Sequence, residues 1–228
     1  EYQHQMMHGE SPVLPVLDDI LPAKGSYSEV PLGIVEIPTE QIVGTKTNSR
    51  SNAFASNFMP ILEEDSEFAQ KWMNLSTSHV EEGIRDPIKV YEYMNKFYVE
   101  EGNKRVSVLK YFDAVSISAY VTRIIPPWSN DKETRIYYEF MDFYKVSRLY
   151  TVQFRRPGDY ARLLALLGKE PDEVWTEQDR RTFNSHFQYF QEAFDQVADA
   201  DDDILTEEAL LLWLQVHPFR DLSQLSGS

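Results

Sequence analysis

The chain has 228 residues, 42% of them hydrophobic and 13% aromatic, which excludes a disordered chain and leaves room for one large domain or for one domain with a helical addition. Its net charge of −15 repels a phosphate backbone, and this excludes non-specific DNA or RNA binding by the whole surface. The absence of cysteine excludes disulfides, thiol nucleophiles and cysteine-bound zinc, and it is typical of a reducing, cytoplasmic compartment.

The first half of the chain alternates between short strands and helices. Residues 1–33 contain several Pro and Gly residues and predict an irregular N-terminal arm with one short helix near residues 18–21. Residues 33–38 alternate between apolar and polar side chains, which predicts a strand. The later predictions are, in chain order, helical segments at 67–75 and 76–82, strands at 88–91 and 96–99 joined as a hairpin at Met94-Asn95, a helix at 104–112 and a strand at 115–125.

Residues 128–228 predict a helical C-terminal region. The predicted helices cover residues 134–145, 160–167, 177–197 and 206–216, with a strand or extended link at 150–154. Thr176 and Thr206 each precede acidic residues, which predicts that both threonines cap the helix that follows. The aromatic stripes in these helices predict core packing, and a surplus predicts a homo-oligomer or protein-partner surface. No apolar run approaches the roughly 20 residues that cross a bilayer, so we expect no membrane partner.

Four short segments occur in a fixed order between residues 35 and 126. They are Ile37-Pro38 with Ile42, Asn48-Ser49-Arg50 with Phe54, the run from His79 to Val90 that contains Pro87-Ile88, and Glu101-Gly102-Asn103-Lys104-Arg105. Together, these segments resemble the N-terminal domain of the ParB/sulfiredoxin-like superfamily. The resemblance implies an α+β fold, with a small mixed β-sheet and helices over residues 34–127, followed by the α-helical region over residues 128–228.

The last of these segments also has the chemistry of a phosphate site. Gly102 allows the backbone to approach an anion closely, and the first turn of the following helix offers free N–H groups. Lys104 and Arg105 add positive charge, and Arg50, on a polar loop, is expected to close over the same anion. Together with Asn103, these residues form the predicted site for a nucleoside triphosphate, CTP or ATP. The prediction includes binding of the nucleotide either alone or together with Mg²⁺. Without the resemblance, the same segment is more typical of a plain turn at Gly102 followed by a solvated helix start at Lys104 and Arg105.

Asn103 departs from the pattern of the superfamily. Sulfiredoxin has its catalytic Cys at the corresponding place, so its reduction chemistry is excluded here. ParB has a Glu there that is implicated in CTP hydrolysis, and Asn103 therefore argues against turnover while leaving binding open. Glu101 is the carboxylate that remains as a catalytic base or metal ligand, and an ordinary carboxylate at a strand edge is the alternative. No His, Asp or Glu cluster has the spacing of a metal site, so no resident metal is expected.

Three functions follow from these features. The first is a ParB-like nucleotide-binding regulatory module, in a fragment of a DNA-associated or transcription-regulating protein whose DNA-binding regions lie outside this sequence. The second is an Mg²⁺-dependent phosphotransferase or nucleotidase that uses Glu101. The third is a protein-interaction domain with a degenerate pocket. The acidic net charge and the absence of an evident DNA-reading motif argue against a stand-alone DNA-binding protein.

Overall fold

The computed structural model describes residues 13–23, 25–49, 51–61, 66–198 and 203–225. The chain divides into two compact units, the first ending at Pro127 and the second beginning at Trp128. Among the helices of the described segments, none combines the length and the apolar composition that a membrane span requires.

A five-stranded sheet forms the framework of the first unit. Its strands are β1 (Ser28–Pro38), β2 (Ile42–Thr45), β3 (Ile88–Tyr93), β4 (Lys96–Glu101) and β5 (Ser116–Ile125). They lie in the order β1-β5-β3-β4-β2. β1 pairs with β5 and β3 with β4 in antiparallel fashion, whereas β3 with β5 and β2 with β4 are parallel. The predicted small mixed sheet is confirmed.

β1 begins at Ser28, five residues before its predicted start at Gly33. Pro31 lacks a backbone N–H and therefore indicated an irregular arm in the sequence. In the structure, β1 is an edge strand, where proline is tolerated, and a register shift between Pro31 and Gly33 absorbs the irregularity. Pairing with β5 extends over the whole of β1, and this long-range partner is not visible in the local sequence.

The helices of the first unit are α1 (Leu17–Ile20), α2 (Glu67–Glu82) and α3 (Asn103–Tyr111). The Ser66 hydroxyl caps the start of α2 by accepting a hydrogen bond from the Ala69 N–H, and Gly83 is the C-cap at its other end. The two helical segments predicted here are therefore one continuous helix. The Trp72 indole N–H donates to the Ser107 hydroxyl at 2.9 Å, which ties α2 to α3.

The hairpin between β3 and β4 turns at Met94-Asn95, as predicted. Both residues have a positive φ, 51° and 63°, which is the conformation of a two-residue type I′ turn. Beside this turn lies a buried ion pair between Glu92 of β3 and Arg123 of β5, whose side chains are almost completely enclosed. Glu92 also accepts a hydrogen bond from the Asn95 N–H. The two residues are direct partners in the parallel pairing of β3 and β5, so the ion pair links these two strands.

The second unit is helical, as predicted for the C-terminal region. It contains α4 (Lys132–Ser147), α5 (Asp159–Leu166), α6 (Glu177–Asp195), α7 (Thr206–Leu214) and a 3₁₀ segment at Phe219–Leu225. Its core is largely aromatic, and the buried rings include those of Phe140, Phe143, Tyr160, Trp175 and Phe183. The prediction that the aromatic stripes form core is confirmed, and with the mixed sheet of the first unit the α+β class is confirmed too.

Residues 150–154 form no strand and run as a link, which is the second of the two alternatives predicted for them. One local prediction in the second unit needs correction. Thr206 is the first residue of α7 and not its cap, because the N-cap position is taken by Leu205. The Leu205 N–H is instead satisfied by the Glu208 carboxylate at 3.4 Å, and Arg155 donates to that same carboxylate at 3.0 Å. Thr176, in contrast, caps α6 in a capping box with Asp179, as predicted.

Candidate functional site

A cleft opens in the first unit where two parallel strands end. β2 ends at Thr45 and its neighbour β4 ends at Glu101, and α3 begins immediately afterwards at Asn103. The carboxyl ends of parallel strands and the N-terminus of the following helix form a common location for ligand crevices. The cleft has a volume of about 300 Å³ and is lined by Thr45, Thr47, Ser49, Phe54, Phe68, Glu100, Glu101, Gly102, Asn103 and Lys104.

Gly102 occupies the N-cap position of α3 with a φ of +112°. A Cβ atom at this position would lie 2.5 Å from Cγ2 of Ile88, closer than packed atoms approach one another. From the sequence, Gly102 was predicted to let an anion approach the backbone closely. In the structure a glycine is needed here for another reason, because the backbone is left-handed and a side chain would collide with Ile88. Gly102 still contributes to the cleft, and as a glycine it places no side chain over the first turn of α3.

The N-terminus of α3 has no side-chain cap. The Gly102 carbonyl accepts the first intrahelical bond, from the Val106 N–H, so the N–H groups of the first turn point beyond the helix end. Asn103 is only 8% exposed, and its Oδ1 atom is buried without a hydrogen-bond partner among the described residues. The helix end therefore combines a partial positive charge with one orphaned acceptor oxygen.

Lys104 brings a full positive charge to the cleft. Its Nζ atom lies 4.3 Å from the ring centroid of Phe68, a cation–π distance. Phe68 is in turn in edge contact with Phe54, with ring centroids 5.4 Å apart. These two rings give the cleft an apolar wall next to the ammonium group.

Three hydroxyl residues of the cleft were not predicted, namely Thr45, Thr47 and Ser49. Thr47 and Ser49 follow β2, and their hydroxyl oxygens are 3.0 Å apart. The sequence signal was the polar composition of residues 44–57, but only the parallel pairing of β2 with β4 brings this loop beside α3. Arg50, which was predicted to close over the anion, lies outside the described residues.

Arg105 is the predicted site residue that the structure places elsewhere. Its Nη1 atom donates to the carbonyl oxygens of Asp86 and Pro87, each at 2.9 Å, and the residue does not line the cleft. Successive residues of a helix point about 100° apart, and here Lys104 lines the cleft while Arg105 is turned towards the loop before β3. The guanidinium instead binds the loop that precedes β3.

Glu101 lines the cleft, and its environment favours the ionised form of its carboxyl group. Its carboxylate pairs with Lys89 at 2.7 Å. This hydrogen bond and the charge of Lys89 lower the pKa of Glu101 below its ordinary value. A carboxylate with a lowered pKa is a weaker base, which argues against a role in proton abstraction.

Across the described part of the chain, no group of three or more His, Cys, Asp or Glu side chains is placed to hold a metal ion. Mg²⁺ nevertheless needs only one or two carboxylates when phosphate oxygens and waters complete its octahedron. Glu100 and Glu101 both line the cleft and supply such carboxylates. The residues present therefore fit an Mg²⁺ ion that arrives with a phosphate ligand, and they do not form a separate metal cage.

Comparisons with known proteins add little to this geometry. No protein-family model matches the sequence, and the curated proteins contain no match. One solved structure that matches is the C-terminally truncated chromosome-partitioning protein ParB from Caulobacter crescentus, complexed with CTP-gamma-S. The two chains are 13% identical, and the match covers 85% of this chain and 98% of that one with a TM-score of 0.28. A likeness this low carries no conclusion about the ligand of this chain.

Proposed function

We propose that the first unit is a nucleotide-binding regulatory module of the ParB/sulfiredoxin-like type, which holds the phosphates of a nucleoside triphosphate at the N-terminus of α3. The observation that carries the proposal is the uncapped first turn of α3, which opens into a cleft together with Lys104. Backbone N–H groups and a positive helix end attract an anion, and Lys104 adds a charge-assisted contact. Thr47 and Ser49 also line the cleft, and because their two hydroxyl groups hydrogen-bond to each other, one hydroxyl remains as a further donor.

The size and lining of the cleft suit part of a nucleotide. Ligand sites for small molecules begin at about 300 Å³, which is also the volume of this cleft. Phosphates bound at α3 would leave the sugar near the apolar wall of Phe54 and Phe68, with the base extending towards solvent. In this proposal Mg²⁺ is carried in by the phosphates and supplies charge neutralisation, with Glu100 and Glu101 as its protein ligands.

Binding is favoured over catalysis by the state of Glu101. In the Mg²⁺-dependent phosphotransferase or nucleotidase considered from the sequence, Glu101 would act as the base, and Lys89 lowers the pKa of this carboxylate. We therefore propose a role in sensing, in which the bound state is passed to a protein partner or to DNA through other parts of the protein. Release of inorganic phosphate from nucleoside triphosphates with Mg²⁺ tests this choice. Turnover that is lost in Glu101→Gln would favour the enzyme instead.

Calorimetric titration with CTP, ATP and GTP, with and without Mg²⁺, tests the binding itself. We expect saturable binding of at least one nucleotide to the wild type. Lys104→Gln should weaken it roughly 10- to 100-fold, since a hydrogen bond to a charged group contributes about 1.5–3 kcal/mol. Lys96→Gln is the matched control, because Lys96 is an exposed lysine at the start of β4, at the opposite end of that strand from the cleft.

Two results would contradict the proposal. One is an equal loss of affinity in Lys104→Gln and Lys96→Gln, which would mean that the nucleotide responds to net charge and not to the cleft. The other is the absence of binding by every nucleotide at millimolar concentration. That second result would favour the protein-interaction domain with a degenerate pocket.

A further inference from the structure

A second pocket of the first unit lies at the opposite end of α3 from the cleft. It has a volume of about 330 Å³ and is lined by Thr39, Glu40, Lys110, Asp113 and Ala114. Its wall joins two distant parts of the chain, because the Thr39 N–H donates to the Val115 carbonyl at 3.0 Å and the Thr39 hydroxyl donates to the Ala114 carbonyl. The pocket is therefore held by the fold, and its lining is separate from that of the cleft.

The amine of Lys110 is kept from water without gaining a polar partner. The residue is half-buried, and its Nζ atom lies 5.5 Å from the ring centroid of Phe58, which is completely buried. In the part of the chain that the structure describes, this amine makes no hydrogen bond and no ion pair. Burial lowers the pKa of Lys110 below its ordinary value, and the charge of Glu40 offsets part of that effect. At neutral pH more of this amine is therefore unprotonated and nucleophilic than in a solvated lysine.

The charge around the amine restricts what it can bind covalently. Glu40 and Asp113 line the same pocket, and both carry carboxylates that repel an anionic reagent. An amide formed at Nζ would be neutral and a carbamate would be negative, so either one would leave the carboxylates without an opposite charge. A protonated imine keeps a positive charge at this place. The two carboxylates therefore favour an imine and an uncharged carbonyl compound as its source.

We propose that Lys110 is a covalent binding site for a small uncharged aldehyde or ketone, which enters the second pocket and forms an imine with Nζ. The unprotonated amine attacks the carbonyl carbon, and the resulting carbinolamine takes up a proton, loses water and forms the C=N bond. The net reaction consumes one carbonyl compound and one proton and yields one protonated imine and one water. It needs no oxidant or reductant, and it is independent of nucleotide binding in the cleft.

Reductive trapping on the full chain tests the proposal. The protein is treated at neutral pH with propionaldehyde and sodium cyanoborohydride, which delivers hydride to the imine carbon and leaves a stable secondary amine, and each lysine is then quantified by peptide mass spectrometry. We expect Lys110 to be labelled at least about 3-fold faster than Lys96, an exposed lysine. Lys110→Arg should lose this label and leave that of Lys96 unchanged. Labelling that follows exposure, with Lys96 ahead of Lys110, would overturn the proposal.

Two comparisons connect this reactivity to the pocket, both measured as the ratio of the Lys110 label to the Lys96 label. With glyoxylate, an anionic aldehyde, the ratio should be lower than with propionaldehyde, because Glu40 and Asp113 repel it. With propionaldehyde, the ratio should fall as the pH is raised from 7 to about 10, because exposed lysines then lose their protons as well. Equal ratios for the two aldehydes would overturn the proposal, and so would a ratio that does not change with pH.

Discussion

Replacing Gly102 with alanine tests whether the start of α3 is fixed by its contact with Ile88. The added Cβ would lie 2.5 Å from Ile88 Cγ2 and 3.0 Å from Ile88 Cβ, in a backbone with a φ of +112°. A left-handed backbone costs an L-residue about 1–2 kcal/mol. Forcing a methyl group against a fully buried side chain costs about 1–3 kcal/mol more. We therefore expect Gly102→Ala to lower the free energy of unfolding of the first unit by roughly 2–5 kcal/mol.

Gly158→Ala is the matched control for the backbone part of this cost. Gly158 is likewise the N-cap of its helix, α5, with a left-handed backbone (φ of 89°), but its Cβ would meet no atom within 4 Å. We expect a loss of about 1–2 kcal/mol in the second unit, which comes from the backbone alone. Hydrogen exchange in urea reports the two units separately, on peptides from β3 and β4 for Gly102→Ala and on peptides from α5 for Gly158→Ala. Equal losses in the two variants would refute the reasoning, because they would mean that Ile88 gives way at no cost.

Three further predictions concern other parts of the structure. Glu92→Leu should cost about 3–5 kcal/mol, because it leaves Arg123 charged and buried, and a urea midpoint close to that of the wild type would contradict this. Thr176→Ala should cost about 1 kcal/mol through loss of a helix cap, whereas Thr206→Ala should change the Tm little, and equal shifts would refute the assignment of the caps. Burial lowers the pKa of His186 below its ordinary value of 6.5, so the unfolded chain binds this proton more readily than the native one. The stability that depends on His186 is therefore complete above pH 6.5 and falls as the pH drops below that value. Replacing the residue in His186→Phe should make the free energy of unfolding less dependent on pH in this range. An unchanged pH dependence would contradict the role of His186.

Features that depend on local sequence could be predicted. The hairpin at Met94-Asn95 follows from two short strands with a two-residue turn between them, and α3 follows from Gly102 and the apolar positions after it. The cap at Thr176 has the same local origin. In each case the residues that decide the conformation are within a few positions of one another, so their chemistry can be read along the chain.

Features that depend on long-range pairing could not be predicted. Thr47 and Ser49 belong to the cleft because β2 runs parallel to β4, and no local pattern encodes which strands become neighbours. The buried ion pair of Glu92 and Arg123 could not be predicted for the same reason, because it joins two strands that are distant in the sequence. Arg105 is a different case, because its charge indicated an anion site while its position on the helix directs it to the carbonyls of the adjacent loop. The residue type predicts that Arg105 binds hydrogen-bond acceptors, but only the fold determines which acceptors it binds.

The central claim is that a nucleotide binds at the N-terminus of α3. Titration of the isotope-labelled protein with CTP or ATP, followed by amide chemical shifts, tests it most directly. We predict saturable shifts of the Gly102, Asn103 and Lys104 amides, accompanied by those of Thr47 and Ser49, with no change at Lys96. Shifts confined to residues outside the cleft, or no shifts at millimolar nucleotide, would contradict the claim.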